Sequence, residues 1–267
     1  MDTMTEAVLR QIGITPDEEL FFLPLSEHTV PDDLFCFVRT KADYYEAVQK
    51  YRMHILMSYA EKGVRFVSLD GIVICPTAVI GAGTVIYPNV QIKDGVTIGQ
   101  NCEITAGSVI SGCTVGDRCQ INATQMFDSV LEDDVKIGPF SHVRPGTHLC
   151  SGVKIGDFVE FKNANVGAGT KVAHLTYIGD ADVGERVNFG CGTVVSNYDG
   201  KHKYRTVIGS DSFIGCNTNL IAPVTVGERA YTAAGSTITD AVPEGALGIA
   251  RARQVNLPGW VEKKFGK

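Results

Sequence analysis

The sequence predicts a mainly β solenoid of stacked coils, and three observations carry that reading. Isoleucine recurs every six residues at Ile74, Ile80, Ile86, Ile92, Ile98, Ile104 and Ile110, and a small or β-branched residue follows each by four: Ala78, Thr84, Val90, Val96, Cys102, Ser108 and Thr114. A period of six does not fit a helix of 3.6 residues per turn, but it suits a short strand and a corner with β-branched side chains facing a shared interior. The composition agrees, since 29 glycines against 12 Phe, 9 Tyr and 1 Trp in 267 residues describe many tight turns around a core of small aliphatics.

The elements follow in chain order. Residues 1 to 70 are expected to form a small α/β segment, with a short helix over 4 to 12 and one or two strands, around Leu20 to Leu23 and Leu34 to Val38. Residues 41 to 62 read as a helix ending at Gly63, with Tyr44, Val48, Tyr51, Ile55 and Tyr59 along one side, placed to cover the open edge of the first coil. Residues 71 to 247 form the solenoid. Its phase slips by one at Val115 and Ile121, returns with Ile137, Val143, Leu149, Ile155 and Phe161, and returns again with Ile208, Ile214, Leu220, Val226, Thr232 and Ile238. Three hexads make one triangular coil, and coils about 4.8 Å apart build a prism roughly 45 Å long. Residues 248 to 267 are a tail, irregular from Pro258, Gly259 and Trp260.

Insertions in a solenoid tend to lie on its binding face. Two interruptions stand out here. Residues 122 to 136 are acidic, with Asp128, Glu132, Asp133 and Asp134, and read as a surface excursion. The stretch from Asn197 to Thr206 is polar and basic and falls between Val195 and Ile208.

Composition narrows the function classes. With 24 Lys+Arg against 30 Asp+Glu and a net charge of −6, the chain is no cationic nucleic-acid binder. No run approaches the ~20 apolar residues of a membrane helix, and the first residues lack the basic and apolar regions of a secretory leader, so a soluble, cytoplasmic protein without a membrane partner is expected. The 8 cysteines contain no CxxC and are expected to be reduced, small and mostly buried. The spacing of Cys113 and Cys119 is better explained by the repeat than by zinc.

From Ile137 to about Gln254 the motifs IGPFSHVRPG, GDFVEFKNA, HLTYIGDADVGERVNFGCGT, SNYDGKHKYRTVIG, FIGCNTNLIAPVTVG and AAGSTITDAVP run in order. They resemble the acetyltransferase half of the bifunctional bacterial N-acetylglucosamine-1-phosphate uridyltransferase/glucosamine-1-phosphate N-acetyltransferase family, tightly over this stretch and more loosely over the preceding repeats and leading helix. The resemblance implies a left-handed parallel β-helix, a homotrimer, and acetyl-CoA-dependent N-acetylation of glucosamine-1-phosphate on the way to UDP-N-acetylglucosamine and peptidoglycan. The family's nucleotidyltransferase motif LAAGxGTxM does not precede residue 70, and GAGT at 81 to 84 and 167 to 170 sits inside hexads, so uridylyl transfer is expected to be absent.

That acetyl transfer needs a neutral amine, a general base, donors for the thioester oxygen and cations for a phosphate dianion. His174, in VAHLTY, matches the family's catalytic base, and neutral imidazole is the natural proton acceptor near pH 7. Arg144 and Lys162 are 18 residues apart with the phase intact, so they occupy equivalent places on adjacent coils. Two cations one strand spacing apart point to an anion between them, and both match phosphate-binding positions of the family. Tyr177 and Asn188 match sugar-contacting positions. Lys203 matches a further phosphate-reaching position, in its own or a neighbouring subunit, beside the equally basic Lys201 and Arg205. Asn197 and Tyr198 match the pair that orients the acetyl group, and Cys191, Cys216, Ala234 and Arg251 match the remaining acetyl-CoA positions. Cys216 and Ala234 share one register, leaving a track of small residues for a pantetheine arm. Arg251, in the tail, is expected to reach across to a neighbouring chain.

No metal is expected in the acetyl transfer, because His142, His148 and His174 have neither the spacing nor the context of the three-histidine zinc site in the gamma-class carbonic anhydrases, which share such prisms. Two alternatives stay open at this point: an acyltransferase of the same repeats acting on another amino sugar or nucleotide sugar, and a non-catalytic trimeric scaffold.

Overall fold

The computed structural model describes residues 38–266. The expected helix over 4 to 12 and the strand at Leu20 to Leu23 lie outside them, as does all but Val38 of the strand at Leu34 to Val38. The chain divides into a unit ending at Glu61 and a unit from Lys62 onward.

In the first unit, α1 (Lys41–Glu61) starts at a reciprocal cap. Thr40 Oγ1 accepts from the Asp43 amide at 3.2 Å, while Asp43 Oδ2 accepts from the Thr40 and Arg39 amides at 2.9 and 3.0 Å. The buried residues are Ala47, Leu56 and Tyr59, with Val48, Tyr51 and Ile55 half-buried. Tyr44 departs from the expected stripe: it is exposed and meets the edge of Tyr45 instead.

The second unit is a left-handed parallel β-solenoid of about 11 turns. It opens at β1 (Arg65–Phe66), ahead of residue 71, and closes at β28 (Leu247–Gly248). Each short strand pairs in parallel with the strand one coil on, and each strand's inward residue stacks on its equivalent: Ile74 on Ile92 on Ile110, and Ile86 on Ile104 on Ile121 on Ile137. These isoleucines are almost wholly buried. Alternation along each strand sends the neighbouring side chains out to solvent. One wall is a sheet of 11 strands. The other two walls merge into one 17-stranded sheet because β17 (Glu160–Val166) and β19 (Tyr177–Val183) run unbroken across the corner between them.

Small buried side chains fill the corners. Thr84, Cys102 and Cys119 occupy equivalent corner positions, and each donates to a backbone carbonyl of the next coil: Thr84 Oγ1 to Gly99, Cys102 Sγ to Gly116 and Cys119 Sγ to Glu132. Cysteine there does the work of a threonine. All cysteines among the described residues are free thiols; Cys102, Cys113 and Cys119 are buried and Cys216 is exposed.

The acidic segment 122 to 136 is not an excursion. It forms β11 (Gln125–Phe127) and β12 (Val130–Leu131) within the ladder, with Met126 and Leu131 buried. Val130 pairs with Thr114, sixteen residues earlier, so this coil is shortened while its strand pairing is kept. Asp128 turns the shortened corner at φ 42, and Arg118 bridges Asp133 and Asp134 at 3.0 and 2.8 Å. The second interruption does leave the coil, between β21 (Val194–Ser196) and β22 (Thr206–Ile208). In the tail, the expected irregular stretch gives way to a short helix, α2 (Trp260–Phe265), where the Lys264 ammonium sits 4.6 Å from the Trp260 ring centre.

Candidate active site

The corner after β18 (Lys171–His174) carries His174. Its Nδ1 lies 2.6 Å from Asp157 Oδ1, and the two residues are register partners, Asp157 closing β16 (Lys154–Asp157) on the coil below. Donation from Nδ1 to the carboxylate leaves Nε2 as the acceptor facing solvent. The same bond holds the Asp157 carboxyl below the usual carboxylate range. Leu175 turns the corner at φ 46, uncommon for a branched residue.

From His174 a column climbs this corner. The His174 carbonyl accepts from Gly192, the Cys191 carbonyl from Asn217, and the Cys216 carbonyl from Gly235. The structure therefore brings His174, Cys191, Cys216 and Ala234 onto successive coils, with Cys216 and Ala234 exposed. Arg251 follows on the next coil: a Cβ at Gly235 would stand 3.9 Å from Arg251 Cδ of the same chain. Arg251, expected from its place in the tail to reach across to a neighbouring chain, lies in this structure against its own chain's corner at Gly235.

Across the corner, the next wall carries the cations. The Arg144 backbone amide donates to the Phe161 carbonyl at 2.9 Å, which puts Arg144 beside Lys162 on adjacent coils. Arg144 is not solitary there, since its Nη1 meets Glu160 Oε1 at 2.9 Å. The Lys162 ammonium lies beside that of Lys203, and this proximity, partial burial and Arg144 together hold it below the ordinary lysine value against the pull of Asp180. Three cations face two carboxylates here. Tyr177 opens β19 in the same wall; desolvation raises its phenol, whose hydroxyl sits near the Asn197 amide. A Cβ at Gly179 would fall 2.2 Å from the Tyr177 hydroxyl, so a side chain there would displace the Tyr177 ring.

The inserted segment is a tight hairpin. Tyr204 donates to the Asn197 carbonyl, Tyr198 bridges Lys203, and Asp199 Oδ1 accepts from the amides of Lys201 and His202 across Gly200 at φ 99. Arg205 is anchored on Asp182, whose carboxylate pushes the guanidinium's affinity for its proton up. That separates the neighbouring basic residues: Arg205 holds the hairpin down, and Lys203 is delivered to Lys162. At the base, Asp180, 8% exposed, accepts from Asn163 Nδ2 at 2.6 Å and from the amide of the buried Asn197.

The bacterial transferase hexapeptide (six repeats) model matches residues 77–112, 128–163 and 205–240. Bifunctional protein GlmU of Clostridium kluyveri is 47% identical over 227 residues, which are 85% of this chain and 50% of that protein. GlmU of Clostridium perfringens is 49% identical over the same shares, and GlmU of Shouchella clausii is 47% identical over 82% of this chain and 48% of its own. The chain is a GlmU homologue. It spans about half the length of these GlmU proteins. Among solved structures, an Arabidopsis UDP-N-acetylglucosamine acyltransferase superposes with a TM-score of 0.51 at 19% identity, over 73% of this chain and 76% of that one, which is a likeness of fold.

Of the positions drawn from the GlmU resemblance, the structure gathers Arg144, Lys162, Tyr177, Asn197, Tyr198 and Lys203 on one wall and its hairpin, and His174, Cys191, Cys216, Ala234 and Arg251 on the corner beside it. Asn188 stands apart. It is exposed on the 11-stranded wall, paired with Lys171 and Phe213. Among the described residues, no three metal-ligating side chains converge in this region. Sequence reasoning missed Asp157, Glu160 and Asp180, each of which positions a residue it did find. The signal was available, since Asp157 precedes His174, and Asp180 precedes Asn197, by seventeen residues, one coil in this stretch.

Proposed function

We propose that the chain transfers the acetyl group of acetyl-CoA to the amine of glucosamine-1-phosphate, supplying N-acetylglucosamine-1-phosphate for UDP-N-acetylglucosamine and peptidoglycan synthesis. The observation that carries this is a histidine base fixed by Asp157 on a corner flanked by the Arg144, Lys162 and Lys203 cations. An amine to be acetylated and an anion to be held are the two demands of that substrate, and GlmU relatives support the assignment.

The phosphate is held by Lys162 and Lys203, with Arg144 poised by Glu160 behind them. Tyr177 and Asn188 contact the sugar, and Asn188, on its separate wall, serves a site completed by a neighbouring chain of a homotrimer. The neutral amine attacks the thioester carbonyl carbon, and its proton passes to His174 Nε2 as the C–N bond forms. Collapse of the tetrahedral intermediate breaks the C–S bond. The departing thiolate takes the proton back from the imidazolium, so amine and thioester give amide and thiol. Asn197, held by Asp180, and Tyr198 orient the acetyl group. Cys191, Cys216, Ala234 and Arg251 line the corner along which acetyl-CoA lies, and neither cysteine is a nucleophile. The reaction belongs to the cytoplasm, where acetyl-CoA is made.

The product decides it. Incubated with acetyl-CoA and a panel of amino sugars with and without a 1-phosphate, the protein is expected to yield an N-acetylated sugar phosphate by mass spectrometry from glucosamine-1-phosphate in preference to glucosamine. Equal turnover of the two, or acetylation of a nucleotide sugar alone, would replace the acceptor in this reading.

A further inference from the structure

Away from the acetyl-transfer region, three donors of metal-ligating type meet on the third wall. β15 (His148–Leu149) stacks on β12 with Leu149 over Leu131 in the core. Alternation then turns His148 and Cys150 outward on either side of Leu149, and Glu132, which follows Leu131, lies under Cys150: its amide donates to the Leu149 carbonyl at 2.9 Å. Glu132, His148 and Cys150 are half-buried, and one ligand atom from each lies within 4.8 Å of the others.

The carboxylate is set in a way that suits an ion. Glu132 Oε2 is fixed by the Ser151 amide and hydroxyl, both at 2.9 Å, which leaves Oε1 turned towards His148 Nε2 at 3.0 Å. Ligand atoms around a tetrahedral zinc stand roughly 3.3 to 3.7 Å apart, as follows from bond lengths near 2.0 to 2.3 Å. Small side-chain shifts bring oxygen, nitrogen and sulfur to those separations, and Ser151 supplies the outer hydrogen bonds that orient a ligating carboxylate.

We propose that Glu132, His148 and Cys150 bind one borderline-soft divalent cation of the zinc class, leaving a fourth position to water. The mixed oxygen, nitrogen and sulfur donor set selects against magnesium and calcium, which take oxygen ligands. Binding releases the Cys150 thiol proton to solvent as the sulfur–metal bond forms. The ion ties two coils together and takes no part in acetyl transfer.

Cobalt(II) is the probe. The full chain, stripped with a chelator and titrated with Co²⁺, is expected to take up one ion with a thiolate-to-cobalt charge-transfer band and the visible bands of a tetrahedral site, and Zn²⁺ should displace it. Cys150→Ser should abolish the charge-transfer band and leave acetyl transfer unchanged, and Cys75→Ser should leave the band intact. Ser151→Ala should weaken binding about 10- to 100-fold. If Cys150→Ser fails to fold, His148→Ala on the half-exposed ring gives the same test through loss of affinity. No charge-transfer band in the wild type, or a band that survives in Cys150→Ser or at full affinity in His148→Ala, would reduce the cluster to a hydrogen-bonded network and overturn the proposal.

Discussion

Asp157 Oδ1 and His174 Nδ1 stand 2.6 Å apart as register partners one coil step from each other. The contact fixes which ring nitrogen faces outward, so the base proposed at His174 depends on Asp157 for its orientation.

Replacing the base should therefore cost more than replacing its support. His174→Ala is expected to lower kcat by roughly 10²- to 10⁴-fold without loss of the fold. Asp157→Asn should lower kcat by about 10- to 10²-fold with KM little changed, because an amide can donate to Nδ1 and favour the wrong tautomer. Steady-state kinetics checks both, and wild-type kcat in Asp157→Asn would leave the carboxylate a structural role. Since the folded Asp157 carboxyl titrates below its ordinary value, its contribution to stability is present above the unfolded value and is lost as pH falls through the folded one.

Lys162 titrates below an ordinary lysine because Lys203 lies beside it. The fold disfavours the charged form, so stability attributable to Lys162 rises as pH climbs from its folded towards its unfolded value, and a bound phosphate opposes that shift. KM for glucosamine-1-phosphate should rise on the alkaline side earlier than an unperturbed lysine would allow. In Lys162→Arg that limb should move to higher pH, since guanidinium stays protonated. An alkaline limb identical in the two proteins would remove Lys162 from phosphate binding.

Asp180 holds two amides, one of them on Asn197. Asp180→Ala leaves both donors without their acceptor, which should lower stability by about 1 to 3 kcal/mol. It should also raise KM for acetyl-CoA, because Asn197 is no longer fixed. Chemical denaturation and kinetics together test this; a destabilised variant with unchanged KM would confine Asp180 to the fold.

Arg251 lies roughly 19 Å from His174 along one corner if four coil steps separate them. Mixed oligomers of His174→Ala and Arg251→Ala chains are then expected to show no activity beyond the two parents. Recovery in mixtures shown by mass to contain both chains would put Arg251 in a neighbour's site, as its position in the sequence suggests.

What could be read from the sequence depended on the count. The isoleucine column made the solenoid legible because six-residue spacing and inward burial are the same fact seen twice. Residues 122 to 136 were misjudged because one coil there has sixteen residues, which breaks the count while Met126 keeps the core filled. The same arithmetic hid Asp157 and Asp180. Arg144 and Lys162 differ by eighteen and were found as a pair, whereas the coils around His174 and Asn197 have seventeen residues, so a count of eighteen sets His174 over Gly156 instead of Asp157. The Lys203 contact was out of reach, because a hairpin anchored by Arg205 on Asp182 has no period.

Release of CoA thiol from acetyl-CoA, measured with glucosamine-1-phosphate and with glucosamine for wild type and for His174→Ala, decides whether a histidine base and a phosphate site work together here. Rapid release is expected with the phosphorylated sugar, weak release with glucosamine, and near loss of both in the variant. Release that is indifferent to the phosphate, or undiminished without the His174 imidazole, would contradict the proposed function.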